Sequence, residues 1–364
     1  MRDAPGRCIR GKYELVERAG EGGMAVVWRA ITLGAQGFER PVAIKRAHPT
    51  LAADADFAAM FVEEARVTAT LDHPNIVHIH DFGEDEHGDH FLVMEWVEGV
   101  DLRRLGQAFA ATGERLPWQV AAVVIADVLR GLHAAHTRVT ADDEPAPIFH
   151  RDITPQNVLL AINGAVKLTD FGLARAMDRA RVTTPGVVKG KLGYLAPELT
   201  VDQPPSAQTD VFAVGIVLWE ILAGQRLFDG ANDRDIFYKV ARAQVPPILV
   251  ERDDIPPALA DVVHTALARE PSARWKDARA MEIALHRVLR ALPDPADHQM
   301  VAVAVRAARQ TLGLGTASRR PLAELEAEEA RKKAAVRAAL FGGPVPESEA
   351  SGAIPLPLSR RKPS

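Results

Sequence analysis

The sequence predicts an α+β chain of two lobes, a small strand-rich first lobe carrying one main helix and a larger second lobe that is mainly helical. Three observations predict it. Residues 13–95 read chiefly as apolar alternation of strand period, and one stretch of helical period interrupts them. After Gly99 the apolar spacing lengthens to three and four residues. At 364 residues, 47% hydrophobic and 25% charged, the chain can bury a sizeable core in one or two units.

In chain order, residues 1–12 are polar, rich in Gly and Arg, and read as a short leader. Strands are predicted over 13–18, 26–30, 42–46, 76–82 and 91–95, and a helix over 53–71, which together make a first lobe of 13–95. The second lobe, 98–292, carries predicted helices over 120–136, 211–222, 258–268 and 280–292. Asp, Glu and Pro over 140–147 mark an exposed loop. Residues 293–364 read as a tail, with a charged helix over about 321–341 supported by Glu328/Lys332 and Glu329/Lys333 and stopped at Gly342. Beyond it, Pro, Ser and Gly suggest disorder. No internal repeat is visible.

Composition excludes several classes of function. The single cysteine, Cys8, cannot form an intrachain bridge, which fits a reducing interior, and a cytoplasmic location is the expectation. A net charge of -4 with both signs intermixed offers no basic stripe for nucleic acid or an anionic membrane. The most apolar stretch, 211–224, carries Glu220 and falls short of the ~20 residues needed to cross a bilayer, so it reads as a core helix. No apolar run follows the basic N-terminal residues, so no secretory signal is expected.

Chemistry enters with Gly20, Glu21, Gly22, Gly23, Met24, Ala25, Val26 and Val27, set between two predicted strands. Glycines there let backbone amides approach phosphate oxygens with no Cβ in the way. Alone, the pattern fits a Gly-rich hairpin equally well; its strand-turn-strand setting disfavours a dinucleotide fold, whose glycines open a helix. Lys45 ends an apolar strand in Val42-Ala43-Ile44-Lys45, where a lysine facing water is the ordinary reading. Glu64 lies on the main helix of the first lobe and is placed to pair with Lys45, holding its ammonium toward phosphates.

Three further blocks follow in order: His150-Arg151-Asp152-Ile153-Thr154-Pro155-Gln156-Asn157, Asp170-Phe171-Gly172 and Ala196-Pro197-Glu198. These blocks together resemble the protein kinase signature, in the style of bacterial members of the eukaryotic-type serine/threonine family. The resemblance covers 13–292 and leaves the tail outside. It implies a two-lobed kinase-like fold and transfer of the γ-phosphoryl of ATP, with magnesium or manganese, to Ser or Thr hydroxyls of protein substrates. It also implies that Asp152 orients the acceptor hydroxyl and takes its proton, while Asn157 and Asp170 hold the metal ions. Val27, Ala43 and Leu159 would sandwich the adenine with Met94 behind it, the backbone of Glu95 and Val97 would read its edge, and Asp101 would lie near the ribose. Glu198 would pair with Arg274, and Asp210 would brace the catalytic loop.

The sequence departs from that pattern at three places. Ala25 replaces the third glycine of the phosphate loop, a mild change. Thr154 sits where these enzymes usually carry a lysine that neutralises the γ-phosphate, and Lys191, in Gly190-Lys191-Leu192-Gly193-Tyr194, sits where they usually carry a threonine. The two residue types look exchanged, so Lys191 is expected to reach toward Asp152 and Thr154 and supply the missing charge; a solvated lysine is the alternative.

Arg151 beside Asp152 suggests control by phosphorylation of the segment before Gly190, with Thr183 and Thr184, through autophosphorylation, as candidates. A pseudokinase scaffold is the rival reading, resting on Thr154. A tyrosine kinase is disfavoured by the proline of Thr154-Pro155-Gln156, and a small-molecule phosphotransferase by Ala196-Pro197-Glu198 with its Arg274 anchor. The charged helix over 321–341 is a candidate protein contact or a solvated surface helix.

Overall fold

The structure is a computed structural model and describes residues 3–22, 24–48, 51, 54–171, 191–294 and 296–315. The first lobe is a six-stranded antiparallel sheet of β1 (Cys8–Ile9), β2 (Tyr13–Glu21), β3 (Ala25–Leu33), β4 (Glu39–Ala47), β5 (Ile79–Glu84) and β6 (His90–Glu95), in the order β1-β2-β3-β4-β6-β5. Period-two alternation gives the sheet two apolar faces. One face packs Ile9, Tyr13, Leu15, Trp28, Val42, Ile44 and Phe91 together. The other holds Ala43, Leu92 and Met94 against α1 (Ala55–Thr68), whose Phe57, Phe61 and Ala65 recur at helical spacing. Asp54 starts α1 by accepting from the amides of Asp56 and Phe57 at 2.9 and 3.0 Å.

Part of the expected leader belongs to this sheet. Ile9 is fully buried, and β1 pairs with the start of β2. Arg7 and Arg46 both reach Asp85 Oδ2 at 2.8 Å, and Arg46 also binds Asp3 at 2.9 Å. Burial works against the Asp85 charge, but Arg46 and the amides of His87 and Asp89 hold its carboxyl well below the usual carboxylate range.

The second lobe opens with a three-stranded sheet, β7 (Gly99–Asp101), β8 (Val158–Ala161) and β9 (Val166–Leu168), in that order. Its helices are α2 (Leu102–Thr112), α3 (Trp118–His136), α4 (Ala207–Ala223), α5 (Asp233–Ala241), α6 (Ile248–Glu251), α7 (Pro257–Ala266), α8 (Ala278–Arg290) and α9 (His298–Thr311). Helices α3 and α4 are apolar on nearly every side and form the centre of one continuous core. By length and hydropathy α3 is apolar enough to cross a membrane, and 78% of that stretch is buried within the lobe. Ser206 and Thr209 start α4 with reciprocal bonds, and Gly224 ends it at φ 74°.

The described residues continue past the expected lobe end at 292 into α9, which buries Val301, Ala304, Val305 and Ala308 in the same core. One compact unit runs to Gly315. The charged helix expected over 321–341 lies outside the described residues.

Candidate active site

Strand register places the first group of site residues. Lys45 on β4 stands opposite Val27 of β3 and Leu92 of β6, and Ala43 stands opposite Met94. The Lys45 ammonium lies 3.0 Å from Glu64 of α1 and 2.8 Å from Asp170. Burial alone would lower its pKa, but Asp170 and Glu64 overcome that and raise it above the ordinary value. Burial pushes the Glu64 carboxyl up to about 7, with Lys45 only partly opposing it. The cause is visible, since Glu64 Oε2 is buried without a hydrogen-bond partner.

The catalytic-loop block is braced from below. Asp210, fully buried at the start of α4, accepts the amides of His150 and Arg151, each at 2.8 Å, and a 2.8 Å bond from His136. Burial would raise its pKa, but these partners hold it below the usual range. Arg151 and Asp170 both adopt left-handed backbone, φ 65° and 63°, which for non-glycine residues persists only where the surroundings enforce it. Phe171 is fully buried and packs its ring against His150 at 4.4 Å between ring centres, tilted by 48°.

At the loop itself, Asn157 Nδ2 donates to the Asp152 carbonyl at 2.7 Å and to Asp152 Oδ2 at 3.0 Å. Both amide hydrogens are thereby used, leaving Asn157 Oδ1 to face a cation. Lys191 Nζ donates to Asp152 Oδ2 at 2.6 Å, and its side chain remains 42% exposed. Thr154 is buried two residues after Asp152, and its neutral hydroxyl supplies no positive charge.

Ala43 and Met94 belong to a buried apolar cluster against which Val27, Val97, Leu159 and Met24 pack, so residues of both lobes make up one apolar surface, the candidate slot for a ligand. Glu95 ends β6 at its rim and pairs with Lys167 at 2.8 Å. Asp101, opposite Leu159, caps α2 by accepting the Arg104 amide at 2.9 Å, and burial raises its pKa.

The β2–β3 turn brings Gly20, Glu21, Gly22, Met24 and Ala25 over the slot's edge, closed by a 2.9 Å bond from the Gly22 amide to the Ala25 carbonyl. A Cβ at Gly20 would meet nothing within 4 Å, and one at Gly22 only the Ala25 carbonyl at 3.8 Å. The chain itself therefore leaves room there for a polyphosphate against the backbone. Among the described residues no group of three His, Cys, Asp or Glu side chains forms a metal cage. Asn157 and Asp170 as hard oxygen donors fit magnesium, which takes few protein ligands and completes its shell with water and phosphate.

Glu198 and Arg274 form a bidentate pair at 2.9 and 2.7 Å, with Thr209 on the same carboxylate at 2.9 Å and the guanidinium 4.6 Å from the Phe212 ring centre. Burial would raise Glu198, but Arg274 holds it below its ordinary value of 4.5. Stability from this pair is therefore present above pH 4.5 and lost as the pH falls through the depressed value. Arg274→Ala is expected to cost about 3–5 kcal/mol in urea unfolding at neutral pH. The gap between wild type and variant should narrow in acid.

Gly23, Gly172, Thr183 and Thr184 lie outside the described residues. Sequence reasoning did not single out His136 beneath Asp210, nor Glu98 and Trp96, which are joined by a 2.9 Å bond beside the slot. Two histidines in the last turn of an apolar helix were the available signal for the first. No local signal marks the second.

A family profile described as the protein kinase domain matches residues 13–289. The chain is 39% identical over 279 residues to a tyrosine-protein kinase, MasK, of Myxococcus xanthus, covering 77% of this chain and 43% of the relative. It is 36% identical over 288 residues to the serine/threonine-protein kinase PknL of Mycobacterium tuberculosis, covering 79% and 68%. Among solved structures, the PknI kinase domain of M. tuberculosis superposes with a TM-score of 0.58 at 27% identity, over 79% of this chain and 99% of that one. The chain thus spans less than half of the Myxococcus relative and about two thirds of PknL.

Proposed function

The chain belongs to the protein kinase family, and from that premise we propose that it transfers the γ-phosphoryl of ATP to Ser or Thr hydroxyls of protein substrates, itself included. The observation that carries the reading is the cluster around Asp152: a buried carboxylate oriented by Asn157 and faced by Lys191, within reach of the Lys45–Asp170 pair. Asp152 accepts the hydroxyl proton as the acceptor oxygen attacks the γ-phosphorus and the bond from that phosphorus to the β–γ bridging oxygen breaks, releasing ADP. Lys45, steadied by Glu64, holds the non-transferred phosphates. Asn157 and Asp170 would hold magnesium, which when bound would supply charge neutralisation at the phosphate oxygens. Val27, Ala43, Met94 and Leu159 clasp the purine, the backbone of Glu95 and Val97 reads its edge, and Asp101 meets the ribose. Lys191, 2.6 Å from Asp152, would place on the transferring group the positive charge that Thr154 cannot.

A cytoplasmic site of action accompanies this reading, with Thr183 and Thr184 as regulatory acceptors whose phosphates would pair with Arg151. The Myxococcus relative's name favours one second reading, transfer to tyrosine. Purified protein incubated with magnesium, labelled ATP and a basic protein acceptor, followed by phosphoamino-acid analysis, separates the cases. Label on serine or threonine supports the proposal. Label on tyrosine alone replaces the acceptor class, and nucleotide binding without transfer replaces the enzyme by a scaffold.

A further inference from the structure

Helix α9 lies beyond the span that the family profile matches, yet it reaches the connection between the lobes. Arg309, with 13% of its side chain exposed, donates to the Gly99 carbonyl at 3.0 Å and pairs with Glu98 Oε1 at 2.7 Å. Glu98 passes the contact on, because its other carboxylate oxygen accepts the Trp96 indole N–H at 2.9 Å and its carbonyl accepts the Ile162 amide at 2.9 Å. Trp96, itself packed against the apolar cluster, sits between Glu95 and Val97, the two positions whose backbone is proposed to read the purine edge.

The docking of α9 is built into the second-lobe sheet. Gly164, at φ 91° in the β8–β9 turn, brings its Cα so close to the first residue of α9 that an added Cβ would lie 2.0 Å from the His298 carbonyl. His298 in turn binds Asp127 of α3 at 2.8 Å, and Arg306 donates to the Ile162 carbonyl at 2.9 Å. Glycine is required at 164 both for its backbone angle and for that approach. The helix is thus anchored at its start to α3 and the sheet, and presents Arg309 from its last turn to the interlobe connection.

We propose that α9 completes the nucleotide site, with Arg309 as a positioning residue that holds the Glu95–Val97 backbone in register for the purine through Glu98 and Trp96. The inference rests on the kinase reading for the identity of the nucleotide, and on geometry alone for the restraint. Fixing this segment before binding removes an ordering cost from nucleotide capture, so its loss weakens affinity and leaves the transfer step alone.

The test compares wild type, Arg309→Ala, Arg309→Lys and Arg306→Ala in the full chain, with Mg-ATP binding measured by calorimetry and amide hydrogen exchange followed over 95–101. Arg309→Ala is expected to weaken nucleotide binding on the order of tenfold, the size of one charge-assisted bond. It should speed exchange over 95–101, raise the KM for ATP and leave kcat near wild type. Arg309→Lys should fall between, keeping the charge but not the fork. Arg306→Ala loses an exposed helix-to-sheet bond to the Ile162 carbonyl while leaving the Ile162 amide, Trp96 and Arg309 bonds to Glu98 in place, and should bind as wild type. Equal binding by Arg309→Ala and wild type would overturn the proposal, and so would equal weakening by Arg306→Ala, which would mark α9 as a general scaffold. Absence of nucleotide binding in wild type would remove the kinase reading and the effect on affinity together, while unchanged exchange in Arg309→Ala would remove the restraint itself.

Discussion

Asp152→Asn is expected to lower phosphoryl transfer by roughly two to four orders of magnitude, the usual worth of a positioned base, while Mg-ATP binding persists. The substitution keeps the side chain's size and removes its ability to take a proton. The Asp152 carboxylate already has fixed partners, Asn157 at 3.0 Å and Lys191 at 2.6 Å on one oxygen. Both partners are donors, so an amide there must turn its oxygen toward them and its nitrogen toward the acceptor hydroxyl, the wrong polarity for accepting a proton. Initial rates at saturating ATP with a protein acceptor, alongside calorimetric nucleotide affinity, check the split. A variant retaining more than about a tenth of the wild-type rate would show that Asp152 does not act as the base.

The second large effect is expected at Lys191. Removing its charge as Lys191→Met should reduce kcat by about 100-fold or more, the scale on which a single preorganised charge stabiliser counts in a transition state. The double exchange Thr154→Lys with Lys191→Thr should recover most of that loss, because it puts the ammonium back on the same transferring group from the catalytic loop. Thr154→Lys alone should gain little, with two ammonium groups then crowding one carboxylate. The charge of Lys191 also helps to hold Asp170 below the ordinary carboxylate range, after burial and Lys45 have set most of its environment. If Lys191→Met keeps the wild-type rate, the 2.6 Å contact is a resting ion pair of a half-exposed side chain and the cation argument fails.

The architecture was legible wherever structure is local. Alternation of apolar residues located β2, β3, β4 and β6, and helical spacing located α1, α3, α4, α7 and α8 within a few residues. Short elements escaped, because β1 has two residues and β7 and β9 three each, too few to show a period. Helix α9 was missed for a different reason. Its Val301-Ala302-Val303-Ala304-Val305 run is apolar at every position and so shows no period of its own, and the inward face made by Val301, Val305 and Ala308 emerges only in the packed helix. The candidate site divides in the same way. Lys45, Asp152, Asn157 and Asp170 stand in contiguous motifs whose order alone is informative, and the structure brings them together. The link from Arg309 to Glu98 and Gly99 joins positions some 210 residues apart, and neither end carries a motif.

Contacts at both margins of the profile-matched span set how far this module can be trimmed. A fragment cut to 13–289 would discard Arg7, one of the two guanidiniums that neutralise the buried Asp85 carboxylate, and would bare the apolar surface that Val301, Ala304, Val305 and Ala308 cover. The portable unit therefore takes in Arg7 and α9, wider at both margins than the motif-bearing span. Swapping this domain between proteins at the narrower borders would transplant every catalytic group and leave behind the parts that keep them in place.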